Sequence, residues 1–500
     1  MDNAPRFDVS EFRVSGNTLL DTIAIELTLY RFLGHDKVFA DIEQARQALE
    51  QRYHDKGYPA VLVDIPEQSV SDGSVWLRVT ESRISHLRIT GTHYYSPRDL
   101  AVQLESLQAG NRLQLPAIQM DLNAASAAYP ERSLVPVLRP GATPGTVEME
   151  IKVKDQLPLH GSLEINDRFG ENTSRWRSSV SLGYSNLWQK GHALTIQYQT
   201  APEIPDEVKV WSGTYLIRQL SSPAIYALYA VDSRSDTAAL GDISVIGDGR
   251  IYGLRWINPR SSADGTSRSI TLGIDYKNFG ESLVLQGSDT QSTPISYLSF
   301  SAAYSRSHFE AERSSKFDVS TVFGVRGLAN SVDEFASKRW LAQPNFIYLR
   351  AGFEISRPLF LGSSVQLAID GQVADSPLIS NEQYTAGGSD TVRGYHESQA
   401  LGDDGARVSV ELHTPSLIGS WKTAQRDAYG LIFWDAASLH TQDALPDQPS
   451  HTQLASAGVG LRFYQRSSWD IRVDWARVYK TAGTVLNGSN RYHVLFNYSF

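Results

Sequence analysis

The segment from 387 to 395 reads Gly387-Gly388-Ser389-Asp390-Thr391-Val392-Arg393-Gly394-Tyr395 and lies between two predicted β-strands. It is too long to be a tight hairpin. An isolated Arg-Gly-Tyr triplet is most simply a surface loop, with glycines at positive φ and a solvated arginine. A later predicted strand contains Phe433-Trp434-Asp435, which offers Arg393 a carboxylate partner. The surrounding sequence therefore decides between a plain loop and a loop that is held in place.

Composition limits the classes of protein that fit. The 500 residues are enough for two or three domains. The absence of cysteine excludes disulfides, thiol nucleophiles and cysteine metal sites. A net charge of −9 argues against a nucleic-acid partner, because such proteins need a basic surface. No apolar run reaches about 18 residues, but the mean hydropathy of −0.29 fits a transmembrane barrel, in which lipid-facing residues alternate with lumenal ones.

Residues 1–82 have the pattern of a small α+β domain. Gly16-Asn17 is a turn that closes the first strand, and Asp21 is placed to cap the helix that follows. The second helix has apolar residues at i, i+3, i+7 and i+11, which form one face. The predicted elements are a strand over 7–17, a helix over 21–33, a helix with Ile42, Ala45, Leu49 and Tyr53 on its apolar face that ends at Gly57, and strands over 60–65 and 74–81.

Residues 83–155 repeat this pattern after about 75 residues. The segment Arg13–Asn17 is echoed by Arg88–Thr92, and the closing strand at Val75–Val79 by one at Val147–Lys152. The order β-α-α-β-β, found twice, indicates a duplicated domain, with an unrelated α+β pair as the alternative. The predicted helix of the second copy carries Ile118, Leu122, Ala125 and Tyr129 on one face.

From about residue 156 to residue 500, helical periodicity gives way to alternation with a period of two. In Ser174–Asn186, one face carries Trp176, Ser178, Val180, Leu182 and Tyr184, and the other carries Arg175, Arg177, Ser179, Ser181, Gly183 and Ser185. A spanning strand of about 9–11 residues with its connection takes roughly 21 residues, which predicts about sixteen strands. A sheet of that length leaves exposed edges unless it closes. A propeller is the alternative, but no blade-length repeat is present.

The chain ends in a strand pattern that continues to its last residue. Tyr492, Val494, Phe496, Tyr498 and Phe500 alternate with smaller or polar residues. An ordinary edge strand at this position would expose five large side chains to water. The ending therefore favours a strand whose outer face lies in lipid.

Two β-α-α-β-β units, about sixteen amphipathic strands and an Arg-Gly-Tyr loop together resemble the two-partner secretion (TpsB) outer-membrane transporters of the haemolysin/haemagglutinin secretion-activation type. The resemblance covers essentially the whole chain. Gly-Asn closes the first strand of the first unit, and Gly-Thr takes its place in the second. The resemblance implies two α+β POTRA domains, at 1–82 and 83–155, followed by an all-β transmembrane barrel of about sixteen antiparallel strands at 156–500.

The resemblance also assigns roles to the loop. In this family the loop after the eleventh strand, here about 376–404, folds back into the lumen. Its tip, matched by Val392, Arg393, Gly394 and Tyr395, rests on the barrel wall, where Phe433 and Asp435 of the thirteenth strand match the partner motif. An arginine suits this role, because its planar fork binds a carboxylate through two hydrogen bonds and stays charged when partly desolvated.

Other residues complete the set of candidates. Strand alternation places Arg407 and Glu411 on the lumenal face if Val408 and Val410 face outward. The resemblance implies that Phe496, Tyr498 and Phe500 form the signature recognised by the barrel-assembly machinery. The turn at Asp403-Asp404-Gly405 is a solvated turn rather than a calcium loop on this interpretation.

No catalytic motif and no phosphate-binding loop occur in the sequence, so we expect no enzyme, no cofactor and no metal site. The resemblance implies a monomeric transporter of the bacterial outer membrane, with its POTRA domains in the periplasm. Its partners are then membrane lipid, the barrel-assembly machinery during biogenesis, and a secreted exoprotein whose amino-terminal secretion domain docks on the POTRA domains. The client can bind their sheet edges as an added strand and then pass unfolded through the lumen. An insertase for other outer-membrane proteins and a passive channel are the alternatives.

Many members of the family begin with a helix that plugs the barrel. Here the first predicted strand begins near Phe7. Either that helix was removed from this chain, or the Arg393 loop and the extracellular segments alone close the pore. The chain opens Met1-Asp2-Asn3-Ala4-Pro5-Arg6 without a charged and then apolar leader, and the predicted barrel favours a mature sequence with an added Met1 over a protein that is not exported.

Overall fold

The structure, a computed structural model, describes residues 6–70, 72–129, 131–171, 173–219, 222–235, 237–240, 243–246, 248–262, 264–284, 290–310, 312–328, 331–419, 422–423, 426–446, 448–465 and 468–500. The expectation about a leader rests on residues 1–6, of which residues 1–5 lie outside these ranges. The chain forms two compact units, Met1–Pro158 and Leu159–Phe500. In the described part of the chain, no helix has both the length and the apolarity needed to cross a membrane.

The first half of the amino-terminal unit is a three-stranded sheet covered by helices. Its elements are β1 (Phe7–Val9), β2 (Glu11–Ser15), α1 (Thr22–Leu29), a 3₁₀ turn (Tyr30–Phe32), β3 (Gly34–Lys37), α2 (Phe39–Asp55), β4 (Val61–Asp64) and β5 (Ser74–Glu81). The sheet has the order β2-β5-β4, with β2 parallel to β5. The predicted face of α2 packs on it, since Ala45, Leu49 and Tyr53 are fully buried. The predicted cap of α1 is confirmed, because the Asp21 carboxylate accepts a hydrogen bond from the Ala24 N–H at 2.6 Å.

The strand predicted over 7–17 is in fact two strands. The N–H groups of Ser10 and Glu11 both donate to the Gly73 carbonyl, at 2.8 and 3.3 Å. This contact ends the first strand at Val9, and β1 pairs with the short β3 in a separate two-stranded sheet. The apolar residues shift at the break from odd positions, Phe7 and Val9, to even positions, Phe12 and Val14, so the sequence does carry a signal of the break that the prediction of one strand passed over.

The second half of this unit repeats the topology of the first. Its elements are β6 (Arg83–Thr90), α3 (Pro97–Gln103), a 3₁₀ turn (Glu105–Leu107), α4 (Leu115–Ala128), β7 (Arg132–Pro140) and β8 (Thr146–Asp155). The sheet order is β6-β8-β7, and β6 runs parallel to β8 as β2 does to β5. Gly16 and Gly91 have φ angles of +84° and +82°, and a Cβ atom there would lie 2.2 Å and 2.4 Å from the carbonyl oxygens of Val79 and Val153. Both halves therefore need glycine at the end of one strand, β2 or β6, where it lies against the neighbouring strand, β5 or β8.

The carboxy-terminal unit is a barrel. Its elements are β9 (Leu159–Asn166), β10 (Arg177–Leu187), β11 (His192–Thr200), β12 (Lys209–Arg218), β13 (Ile225–Arg234), β14 (Thr237–Leu240), β15 (Ile243–Ile246), β16 (Gly249–Ser261), β17 (Thr266–Val284), β18 (Thr290–Glu310), β19 (Arg313–Gly324), α5 (Val332–Lys338), β20 (Ile347–Pro358), a 3₁₀ turn (Phe360–Gly362), β21 (Ser364–Ala374), β22 (Tyr384–Ala386), β23 (Ala400–Gly402), β24 (Asp404–His413), β25 (Arg426–His440), β26 (His451–Gln465), β27 (Trp469–Val478) and β28 (Asn490–Ser499). The strands β9 to β13, β16 to β21 and β24 to β28 form one closed antiparallel sheet, in which β28 pairs with β9. The predicted fold with sixteen barrel strands is confirmed.

Strand alternation sorts the barrel residues between two faces as predicted. On β10, Val180 and Leu182 are 53% and 54% exposed, whereas Arg177 and Ser179 are buried. The outward face is therefore apolar and the inward face polar. The strands β17 and β18 have 19 and 21 residues, longer than expected for a membrane span. They are longer because their hairpin keeps its pairing as far as Val284 and Thr290.

A cluster of buried apolar side chains lies inside one end of the barrel. The helix α5 places Phe335 against Tyr297 and Phe346, with ring centroids 5.5 and 6.1 Å apart. We call the whole group the outer cluster, and its buried members are Ala201, Val208, Val210, Val231, Ile251, Phe279, Ile295, Tyr297, Phe335, Ala342, Phe346, Tyr348, Ala374, Leu378 and Ile379. Its strand residues belong to β12 through β21, so this cluster lines only part of the barrel circumference.

Candidate functional site: the lumenal loop

The segment between β21 and β24, residues 375–403, is called here the lumenal loop. Its tip, residues 389–395, reaches the inner wall and buries Arg393 to 4% exposure. The guanidinium donates from Nε to Oδ2 of Asp435 at 2.7 Å and from Nη2 to Oδ1 at 2.8 Å. The Arg393 backbone N–H donates to the same carboxylate at 3.2 Å. The structure thus brings together the loop arginine and the carboxylate of the thirteenth barrel strand, β25, in a two-pronged pair.

The environment of this pair is charged and aromatic. Arg393 Nη1 lies 2.7 Å from Glu411 Oε1 and 4.0 Å from Asp474 Oδ2. The Phe433 ring covers the guanidinium, with its centroid 3.5 Å from the central carbon. Burial by itself would lower the pKa of Arg393, but Asp435, Glu411 and Asp474 raise it above its ordinary value. The arginine is therefore a permanent cation held by several acceptors.

The other tip residues contact different strands. Gly394 has a φ of +96°, and its N–H donates to Nε2 of His493 at 2.8 Å. A Cβ atom at Gly394 would lie 3.0 Å from the Val478 side chain, so the close approach also requires glycine. The Tyr395 hydroxyl donates to the Lys480 carbonyl at 2.6 Å, and Val392 is fully buried. The tip is held by residues of β24 through β28 and of the segment after β27.

Arg407 lies inside the barrel but belongs to a separate pair. Its Nε donates to Oδ1 of Asp370 at 2.6 Å, and its Nη1 donates to the Asp390 carbonyl of the tip at 2.5 Å. It therefore supports the backbone of the tip without contacting the Arg393 carboxylates. Glu411 is in direct contact with Arg393, as described above, although the sequence placed it only on the lumenal face.

The carboxy-terminal candidates lie on the outer face. Trp469 of β27 packs against Phe496 and Tyr498, with ring centroids 5.4 and 4.7 Å away. The Phe500 N–H donates to the Gly161 carbonyl at 3.0 Å, and the Gly161 N–H donates back at 3.1 Å. The last residue of the chain is thus part of the closing pair of strands.

The expectation of a solvated turn at Asp403-Asp404-Gly405 is wrong. Asp403 is fully buried, and its carboxylate accepts hydrogen bonds from both terminal nitrogens of Arg339, with Nη2 2.7 Å from Oδ2. It also accepts from the N–H groups of Leu378 and Gln442, each at 2.8 Å. These partners come from distant parts of the sequence, so no local signal could have found them. His493, which accepts the Gly394 N–H, was missed for the same reason.

A cavity of about 540 Å³ lies in the lumen beside the tip. Its lining is strongly charged and includes Arg168, Glu354, Arg407, Arg462, Arg472 and Asp474. Among the residues that the structure describes, no group of three or more histidine, aspartate or glutamate side chains has the arrangement of a metal site. The arrangement provides a polar lumen and a segment held within it.

Comparisons with known proteins agree with this architecture. Residues 7–82 match the model of the ShlB-type POTRA domain, and residues 145–463 match the model of the haemolysin secretion/activation protein ShlB/FhaC/HecB. The chain is 22% identical to the outer membrane transporter CdiB of Dickeya dadantii (strain 3937), over 95% of this chain and 84% of the relative.

Two solved structures show the same fold. CdiB from Escherichia coli has a TM-score of 0.66 at 17% identity, with 100% of this chain and 91% of that chain covered. BamA from Haemophilus ducreyi lacking POTRA domains 1–3 has a TM-score of 0.62 at 14% identity, with 99% and 100% covered. The second family model matches residues 145–463, well over half of the chain. Its members are transporters and not enzymes, and they act in the outer membrane with their POTRA domains in the periplasm. The protein therefore belongs to the ShlB/FhaC/HecB haemolysin secretion/activation family of two-partner secretion transporters.

Proposed function

We propose that this protein receives an unfolded exoprotein in the periplasm through its POTRA domains and secretes it through the barrel. The observation that carries the proposal is the lumenal loop, which lies within the barrel and is held there by the buried Arg393–Asp435 pair. A barrel that served only as a membrane anchor would have no need of such a segment. Polar contacts suit a movable part, because both partners can return to water when it is released.

The POTRA sheets support the first step. The sheet orders β2-β5-β4 and β6-β8-β7 leave β2 and β6 at equivalent edges of the two domains. An edge strand presents main-chain donors and acceptors to an extended segment and demands no particular side chain. An unfolded client with many different sequences could therefore be held in this way.

The barrel wall supports the second step. Arg255 pairs with Asp275 at 2.6 and 2.7 Å, and Arg462 pairs with Asp474 at 2.7 and 2.9 Å. Charges that are paired with one another offer little to an apolar segment and no single strong field to a charged one. Such a wall lets a chain pass without binding it tightly.

The test is secretion in an outer-membrane host. The protein is produced together with candidate exoproteins of its own genome, beginning with any encoded beside it, and the client is measured in the medium. Arg393→Ala is compared with the intact protein at matched barrel abundance. Arg255→Ala is the matched control, because it removes a lumenal pair of the same geometry whose partners, Asp275 and Tyr229, belong to the wall.

We expect the client in the medium with the intact protein and with Arg255→Ala, and its loss with Arg393→Ala. Equal loss of secretion in both variants would show that the tip contact of Arg393 matters no more than an ordinary ion pair of the barrel wall. If no client is exported and removal of the protein impairs the insertion of other barrels, the insertase alternative replaces the proposal.

A further inference from the structure

The stem of the lumenal loop, residues 378–382, contains a buried carboxylate that plays no part in the tip contacts. Glu382 is 1% exposed. Its Oε1 accepts from Lys277 Nζ at 2.5 Å and from the Tyr297 hydroxyl at 2.5 Å, and its Oε2 accepts from the Tyr348 hydroxyl at 2.7 Å. In addition, Gln372 Nε2 donates to the Glu382 carbonyl at 3.2 Å. One side chain thus gathers three donors, from β17, β18 and β20.

These partners belong to a different sector of the wall from those of the tip. The stem contacts β17, β18, β20 and β21, whereas the tip contacts β24 through β28. The apolar contacts divide in the same way. Leu378 and Ile379 of the stem are part of the outer cluster. Tyr384 and Ala386, which follow the stem, join Val392 and Tyr395 of the tip in a separate buried cluster with Leu439, Leu454 and Val478.

We propose that Glu382 is a positioning residue that anchors the stem independently of the tip. When the tip leaves β24–β28, the stem remains on β17–β21, so the loop moves as an arm with one fixed end. The part of the lumen that clears is then the sector beside the charged cavity, and the sector beneath α5 stays filled.

The chemistry of the two ends supports this division. The tip is held by the charged groups around Arg393, which regain water when they separate, and by the apolar contacts of Val392 and Tyr395. The stem is held by a carboxylate whose donors include two buried tyrosines, and it is surrounded by the aromatic rings of the outer cluster. Withdrawing the stem would expose that apolar surface and leave Lys277 and both hydroxyls without their shared acceptor. Both ends bury apolar side chains, so the difference lies in their polar groups, and on this ground the tip is the end that can move at the lower cost.

The test uses the absence of cysteine from the chain, which allows a single reactive thiol to be placed in each end. Val392→Cys reports on the tip and Ile379→Cys on the stem, since both positions are at most 1% exposed. The labelling rate with a water-soluble maleimide is measured on the full chain in detergent. The folded barrel is verified by its heat-dependent electrophoretic mobility.

We expect Glu382→Gln to increase labelling at Ile379→Cys at least about tenfold and to change Val392→Cys by less than about twofold, because charge-assisted hydrogen bonds are lost only at the stem. Arg393→Ala should give the opposite pattern. Tyr348→Phe removes one hydroxyl and is a milder variant for the case that Glu382→Gln does not fold. Combining Glu382→Gln with Lys277→Met removes the stranded cation and should restore most of the protection of the stem.

Equal acceleration at both thiols in either variant would show that the loop undocks as one unit and would overturn the proposal. So would an unchanged rate at Ile379→Cys in both Glu382→Gln and Tyr348→Phe. The role of this anchor in transport rests on the proposed function, but the labelling experiment measures docking without any client. The anchor and the secretion function can therefore fail separately.

Discussion

The docking of the tip can be tested by removing each member of its central ion pair. Arg393→Ala leaves the buried Asp435 and the partly buried Glu411 without the guanidinium, which lies 2.7 Å from each carboxylate. Removing one partner of a buried pair costs about 3–5 kcal/mol. At about 1.4 kcal/mol for each factor of ten, the ratio of docked to undocked loop falls by roughly two to three and a half powers of ten. Asp435→Asn should cost less, because Glu411 still holds the guanidinium.

The assay is maleimide labelling of Val392→Cys in each background. When the loop redocks faster than the thiol reacts, the labelling rate follows the undocked population. We expect the rates to rise in the order intact protein, Asp435→Asn, Arg393→Ala. The double variant Arg393→Ala with Asp435→Asn should label no faster than the worse single variant, because the removed groups are partners.

Additive effects of the two substitutions would show that Arg393 and Asp435 contribute independently, and the argument from a stranded charge would then be wrong. An unchanged labelling rate in Arg393→Ala would show that the apolar contacts of Val392 and Tyr395 hold the tip without the ion pair. A cysteine at an exposed loop position provides the intrinsic reaction rate.

Three other measurements follow. Burial raises the pKa of Glu397 in the lumenal loop from 4.5 to about 7, so the docked loop favours the neutral acid. This contribution to docking is complete below about pH 4.5 and is lost as the pH rises to about 7; normalised labelling of the tip should therefore increase over that range and level off above about pH 7, with no such increase in Glu397→Gln. Gly91→Ala should destabilise the second POTRA domain by about 1–3 kcal/mol more than Gly110→Ala, measured by hydrogen exchange, because both glycines have positive φ but only Gly91 faces a carbonyl oxygen at 2.4 Å. Gly161→Ala should slow barrel assembly, followed by electrophoretic mobility, because its Cβ atom would lie 2.5 Å from the Phe500 ring.

The barrel and its closure could be predicted because alternation is a property of each strand by itself. Val180 and Leu182 indicate an apolar face within one short segment. Dividing the length of the alternating region by the length of one strand with its connection then predicts the number of strands. The duplication was readable for a similar reason, since Gly16 and Gly91 meet the same steric demand at the same place in each copy. Local rules repeated along the chain are visible in a single sequence.

The stem of the loop could not be predicted, because its contacts obey no local rule. The partners Gln372 and Lys277 precede Glu382 by 10 and 105 residues. The pair between Arg339 and Asp403 spans 64 residues. The residues next to Glu382 and Asp403 in the sequence do not distinguish these acids from solvent-exposed ones. Arg393, in contrast, could be found because it lies in a recognisable motif and because an alternating strand offers it a carboxylate.

The presence of an ion pair at the tip can be explained by the surroundings of its two partners after the loop moves. A buried pair is no more stabilising than a well-packed apolar contact of the same volume, so stability alone does not explain Arg393 and Asp435. A purely apolar contact, once released, would expose a surface to which other apolar segments can bind. A released arginine instead returns to water, and the vacated wall presents Asp435, Glu411 and Asp474, to which an apolar segment gains nothing by binding. The ion pair therefore contributes position and reversibility to the docked tip, while Val392 and Tyr395, buried with Leu439, Leu454 and Val478, supply the apolar part of the docking.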